Sequence, residues 1–122
     1  MNFDIRQCKL ISDERGELVI YQDEIPFRVK RTYVMYGRKG INRGGHRHIK
    51  TIQAITVLCG SAAVSFYDKV NKFHVRSPNL NASDLLILPP ENWHEIIFHE
   101  DSTLLVFASE KYDPMDYIYE KD

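Results

Sequence analysis

The chain has 122 residues, 43% hydrophobic and 27% charged, with a formal net charge of −1 at pH 7. It is long enough to bury one core and too short for two, and its near-neutral charge gives no basis for general nucleic-acid binding. No apolar run approaches the roughly 18 residues of a membrane span and no charged-then-apolar leader opens the sequence, so a cytoplasmic location is expected, with no membrane partner.

Residues 2–11 predict a first strand, Asp13–Gly16 a turn, and Glu17–Gln22 its return. A short leading strand of this kind is a ready partner for another chain. Ile25-Pro26 interrupts the pattern, and Phe27–Met35 predicts the next strand, with Phe27, Val29, Arg31, Tyr33 and Met35 on one face. If that face is interior, Arg31 is a buried cation that calls for an anionic ligand, unless it pairs with a carboxylate or lies at the barrel mouth. Gly37–Gly40 and Gly44-Gly45 bracket a basic loop, where glycine allows backbone to approach a ligand and the cations suit phosphate.

Thr51–Leu58 and Ala62–Tyr67 read as a hairpin turning at Gly60-Ser61. Asp68–Asn71 is a turn, Lys72–Arg76 a short strand and Ser77–Asn81 a loop. Leu85–Leu88 ends at Pro89-Pro90, and Trp93–Phe98 and Thr103–Ala108 are two further strands. The tail holds one helical turn near Asp113-Pro114, with proline at the first helical position. Cys8 and Cys59 are read as free thiols in a reducing compartment. Many short strands and no helical period predict an all-β fold. We expect one domain over 1–122, with N-terminal strands and a candidate dimer arm over 1–24, a barrel over 25–110 and a tail over 111–122.

His46 and His48, two apart, point to one face of a strand and can act on one small volume. His-x-His, then Gln53 and Gly60, has the spacing of the first cupin motif, with Gln53 where glutamate is usual. Pro89 and His94 have the spacing of the second, with Glu91 replacing glycine. The sequence therefore resembles a cupin, which implies a small antiparallel β-barrel of jelly-roll type with its ligand inside. Three imidazoles can hold a divalent metal, but neutral Gln53 weakens the charge balance of such a site. The other option is metal-free proton transfer by a histidine, with Tyr33 as hydrogen-bond donor or proton relay.

RGGHRH, PPENWHEIIF and LLVFASEKYDPMDYI together resemble the nucleoside-diphosphate-sugar 3,4-ketoisomerases, over about Lys30 to Tyr119. That resemblance implies a metal-independent, cofactor-free homodimer, with exchange of its N-terminal strand left open. Its substrate would be a dTDP-4-keto-6-deoxyhexose, converted to the 3-keto isomer for later amination into a surface-glycan sugar such as that of lipopolysaccharide O-antigen. Carried over, the resemblance puts catalysis on His46, His48 and Tyr33, and substrate contacts on Arg31, Gln53, Trp93 and His94. The diphosphate falls to Arg43 or Arg38, with Arg43 preferred for its place before Gly44. Gly45 stands where the family has a larger residue and Arg47 where it has a small one, so a UDP-linked or otherwise substituted sugar is open. The competing readings are a nucleotide-sugar-binding cupin without turnover, a metal-dependent cupin enzyme and a sugar epimerase.

Overall fold

The computed structural model describes residues 3–122, whose regular structure is antiparallel β apart from one short helical turn at Pro114–Asp116. Its strands are β1 (Asp4–Gln7), β2 (Lys9–Asp13), β3 (Gly16–Ile20), β4 (Arg31–Gly37), β5 (Arg43–His48) and β6 (Gln53–Cys59). They continue as β7 (Ala62–Asp68), β8 (Phe73–Arg76), β9 (Asp84–Leu88), β10 (His94–Phe98), β11 (Ser102–Ala108) and β12 (Tyr117–Ile118). One five-stranded sheet runs β1-β9-β6-β11-β4, a second runs β12-β5-β10-β7-β8, and β2-β3 is a separate hairpin. The barrel sheets thus recruit strands from outside 25–110: β1 pairs with β9 and β12 with β5.

The inward faces follow from period two. Ile96 and Phe98 on β10, and Leu104 and Val106 on β11, alternate with less buried neighbours and meet Ile55, Val64, Phe66, Leu86 and Leu88 in one core. Each such side chain, once buried, contributes about 1.5–3 kcal/mol. The outer face of the first sheet has its own apolar cover, in which Cys8, Ala54, Leu85 and Ile87 pack with Val19, Tyr21, Ile25 and Phe27.

That cover accounts for two departures from the sequence reading. Phe27 is drawn onto the outside of the sheet and Val29 is exposed, so the interior face of β4 begins at Arg31 rather than at Phe27. The leading strand breaks at Cys8, which is buried and donates its amide to the Ser83 carbonyl at 2.8 Å. Beyond the break the chain leaves the barrel as the β2-β3 hairpin, which turns at Asp13–Gly16 as expected. No helix among the described residues is long and apolar enough to cross a membrane.

Gly44 and Gly45 lie inside β5 rather than in the preceding loop. Both have positive φ, +93° and +78°, and the register of β5 against β10 shifts between His94 and Glu95. This is a bulge, and it aims His46 at His94, its cross-strand partner. A Cβ on Gly44 would stand 2.9 Å from the His94 carbonyl oxygen, whereas one on Gly40, also at positive φ (+80°), would meet nothing within 4 Å. Gly44→Ala is therefore expected to lose about 2 kcal/mol or more, and Gly40→Ala about 1 kcal/mol from backbone strain alone. Urea denaturation of both variants checks this, and equal losses would mean that the approach of β5 to His94 does not require glycine.

Candidate active site

Between the sheets lies a cavity of about 360 Å³, within the range of small-molecule sites. β4 supplies Arg31, Tyr33 and Met35, β5 supplies Arg43, Gly44 and His46, and β6 supplies Gln53 and Ile55. His94 and Ile96 of β10 complete the wall, and Tyr112 and Tyr117 of the tail stand beside it. Six of the expected site residues thus face one space: Arg31, Tyr33, Arg43, His46, Gln53 and His94.

His48 sits directly behind. Its ring lies edge-on to His46 with centroids 5.0 Å apart, and its Nδ1 is 3.1 Å from Asp116 Oδ2. A carboxylate accepts, so Nδ1 carries the hydrogen and Nε2 is left with its lone pair, buried and without a partner among the described residues. Asp116 also accepts from the Lys50 amide at 2.9 Å and from the Thr51 hydroxyl. Burial pushes the Asp116 carboxyl up, but these donors outweigh it and hold it below the usual carboxylate range. Burial pushes His48 down, against the pull of Asp116 upward.

The other two histidines are held neutral. Burial first, then the neighbouring His48, brings His46 down to about 4, against a backbone hydrogen bond to Gly44. Burial brings His94 to about 3, and its Nδ1 donates to the Asn92 carbonyl at 3.1 Å. Tyr33 is pushed up to about 12, chiefly by burial and against the opposing charges of Arg31 and Arg43, so it keeps its proton. Its oxygen accepts from Gln53 Nε2 at 2.7 Å.

Arg31 resolves the choice left open by the sequence. Among the described residues it has no carboxylate partner, its Nε is buried without any partner, and its guanidinium stacks on Tyr33 and Tyr112, at 5.3 and 5.8 Å from the ring centroids. Arg43 likewise pairs with no carboxylate among the described residues. Two unpaired guanidiniums at the wall of a cavity of neutral groups make an anion-receiving site.

Two expected residues are not brought in. Arg38 is exposed in the turn after β4, its carbonyl accepting from Ile41. Trp93, adjacent to inward His94, necessarily faces the other way, and its indole donates to the Tyr119 carbonyl at 2.9 Å. Arg47, which stands where the family has a small residue, is largely sheltered. Only 12% of its side chain is exposed, and it bridges Glu91 and, at 3.0 Å, the Glu120 carbonyl. Lys121 closes the clasp, 4.7 Å from the Trp93 centroid and 3.1 Å from His74 Nε2. The residue missed from the sequence is Asp116; its only signal was the closing YDPMDYI segment.

Among the described residues no group of three His, Cys, Asp or Glu side chains has metal-holding geometry. Paired histidines on one inward strand, answered by a third across the sheet, are how cupins are built, and the fold is of that class. The chain belongs to the FdtA family, described as WxcM-like, C-terminal, whose model matches residues 1–122. It is 37% identical over 120 residues to TDP-4-oxo-6-deoxy-alpha-D-glucose-3,4-oxoisomerase of Aneurinibacillus thermoaerophilus, covering 93% of this chain and 84% of that one. A mutant of the 3,4-ketoisomerase QdtA of Thermoanaerobacterium thermosaccharolyticum, in complex with TDP-4-keto-6-deoxyglucose, superposes with TM-score 0.88 at 33% identity, over 98% of this chain and 88% of that one. The WlaRB TDP-quinovose 3,4-ketoisomerase of Campylobacter jejuni gives 0.85 at 30%, over 98% and 93%.

The depressed histidines make stability depend on pH. Between about 6.5 and 4 an unfolded chain takes up protons that folded His46 and His94 refuse, so acidification favours unfolding. Asp116 does not oppose this, because its contribution is present above the ordinary carboxylate value and is lost only below it. The unfolding free energy from urea denaturation should therefore fall steadily from pH 7 to pH 5, approaching a slope of about 1.4 kcal/mol per pH unit for each histidine involved. A flat profile over that range would contradict the neutral, buried state of these rings.

Proposed function

We propose that this chain is a sugar 3,4-ketoisomerase that moves the carbonyl of a nucleotide-linked 4-keto-6-deoxyhexose, dTDP-linked, from C4 to C3. The carrying observation is that one cavity holds a neutral histidine, a tyrosine that keeps its proton, and two guanidiniums without carboxylate partners. In this reading His46 is the base, because it lines the cavity while His48 stands behind it. His46 takes the proton from C3, and the C–H electrons form a C3–C4 double bond as the 4-carbonyl oxygen gains charge. Tyr33 donates a hydrogen bond to that oxygen. O4 takes a proton from water to give the enediol, the proton held by His46 exchanges with solvent, and a proton is delivered from His46 to C4 as the O3–H proton leaves to water, so C4 becomes a carbinol and C3 a ketone. Arg43 and Arg31 hold the diphosphate, whose binding energy positions the ring for the transfer.

His48 and Asp116 act as a pair behind the base, with the ionised carboxylate favouring positive charge as His46 takes up the proton. Gln53 and His94 line the sugar's pocket. We assign the activity to the cytoplasm, in keeping with two free cysteines, and to provision of a keto sugar for amination into a surface glycan.

The reaction is followed by proton NMR with dTDP-4-keto-6-deoxyglucose in D₂O, where a 3-keto product carrying deuterium at C4 is expected. Exchange at C3 without carbonyl transfer would make the protein an epimerase, and saturable binding without change would make it a binding protein. His46→Asn should lower turnover at least about 100-fold while TDP affinity stays within about threefold, whereas Arg43→Gln should lose about tenfold in TDP affinity. Near-wild-type turnover in His46→Asn would remove that histidine from the mechanism.

We further propose a homodimer in which each β2-β3 hairpin lies along the partner's β4. The hairpin pairs with no other strand among the described residues and exposes Leu18 at 53%, while β4 is an edge strand exposing Tyr36 at 75%. Sedimentation velocity should find a dimer at micromolar concentration and a monomer for Ile11→Glu/Leu18→Glu. A monomeric wild type would dispose of this arrangement.

A further inference from the structure

Gln53 occupies the position at which the cupin pattern places an anionic glutamate, and its surroundings assign it a task of a different kind. It is 3% exposed at the start of β6. In the first sheet Arg31 and Gln53 both pair with Ala108, one strand to either side, while Tyr33 and Ile55 flank Val106 in the next row. Ala108 is small and fully buried, which leaves room above it for Gln53 to reach diagonally to the Tyr33 hydroxyl, 2.7 Å away.

The direction of that bond matters. With Nε2 donating to the phenolic oxygen, the group left unpartnered is Oε1. The reverse orientation would strand both amide hydrogens in a buried site for the sake of one satisfied lone pair, so donation is the less costly arrangement. An amide hydrogen on the phenolic oxygen then occupies a lone pair and leaves the hydroxyl hydrogen to point elsewhere. A glutamate at this position would do the opposite: as an acceptor it would draw the Tyr33 hydrogen to itself.

We propose that Gln53 is a positioning residue that acts through Tyr33, fixing its hydroxyl as a donor toward the reacting oxygen rather than binding the sugar directly. This rests on the 3,4-ketoisomerase reading above. It gives the replacement of glutamate by glutamine a catalytic purpose, since a neutral donor orients a phenol that an anionic acceptor would disarm.

A double-mutant cycle tests it, using the full-length protein and dTDP-4-keto-6-deoxyglucose. Gln53→Met removes the donor at similar volume without burying a charge, and Gln53→Glu reverses the hydrogen bond. Folding of each is checked by its urea midpoint, so the methionine variant carries the test if the glutamate variant does not fold. Gln53→Met should lower kcat about 10- to 100-fold with KM within about threefold, and should have almost no further effect in a Tyr33→Phe background. Equal losses in the two backgrounds would overturn the assignment, as would a loss confined to KM or a kcat within about threefold of wild type. Wild-type protein that does not isomerise the sugar would instead sink the functional reading itself, so the two failures are distinct.

Discussion

The buried Asp116 carboxylate is the constraint on which the rest of the site depends. It comes from the last turn of the chain, between Pro114 and the short β12, and it accepts from His48, Lys50 and Thr51 at the junction of β5 and β6. One ionised group thus ties the tail to the barrel, satisfies a backbone amide in a connection, and fixes the tautomer of a histidine. A carboxylate out of water is costly unless its lone pairs are met, and here three donors meet them. Since β12 adds to the edge of β5, the same contact keeps Tyr117 against the cavity.

The cavity owes its chemistry to the burial of the groups that line it. Burial is the leading cause of the downward shift at His46 and His94 and of the upward shift at Tyr33, so the imidazoles stay neutral and the phenol retains its proton. Permanent charge is confined to Arg31 and Arg43, the kind of side chain that stays ionised whatever surrounds it. A site of this composition is poor in anions and well suited to receive one.

Much of the fold was legible because its two main signals are physical. Period-two alternation in β10 and β11 records which side chains must leave water, and paired histidines two apart must share a face. The failures have physical reasons too. Residues 27–30 carry a strand-like pattern, yet Phe27 serves the outer cover of the first sheet, a choice made by tertiary packing. The consecutive glycines read as loop because a bulge and a loop ask for the same backbone freedom. Trp93 was assigned to the pocket by resemblance although alternation with His94 already put it outside. Asp116 escaped notice because its partners lie far away in sequence, and only the closed barrel brings them together.

Arg47 and Glu91 both depart from the usual pattern, and they touch. Glu91 stands where cupins place glycine and holds that backbone, φ 71°, while its amide donates to the His48 carbonyl at 2.7 Å. The two positions are therefore coupled through one ion pair. Glutamate at 91 bears the strain of a glycine conformation, and the largely sheltered arginine at 47 supplies the opposite charge. A small residue at 47 would therefore leave Glu91 its strained backbone without its ion pair, and glycine would then fit position 91 better than glutamate.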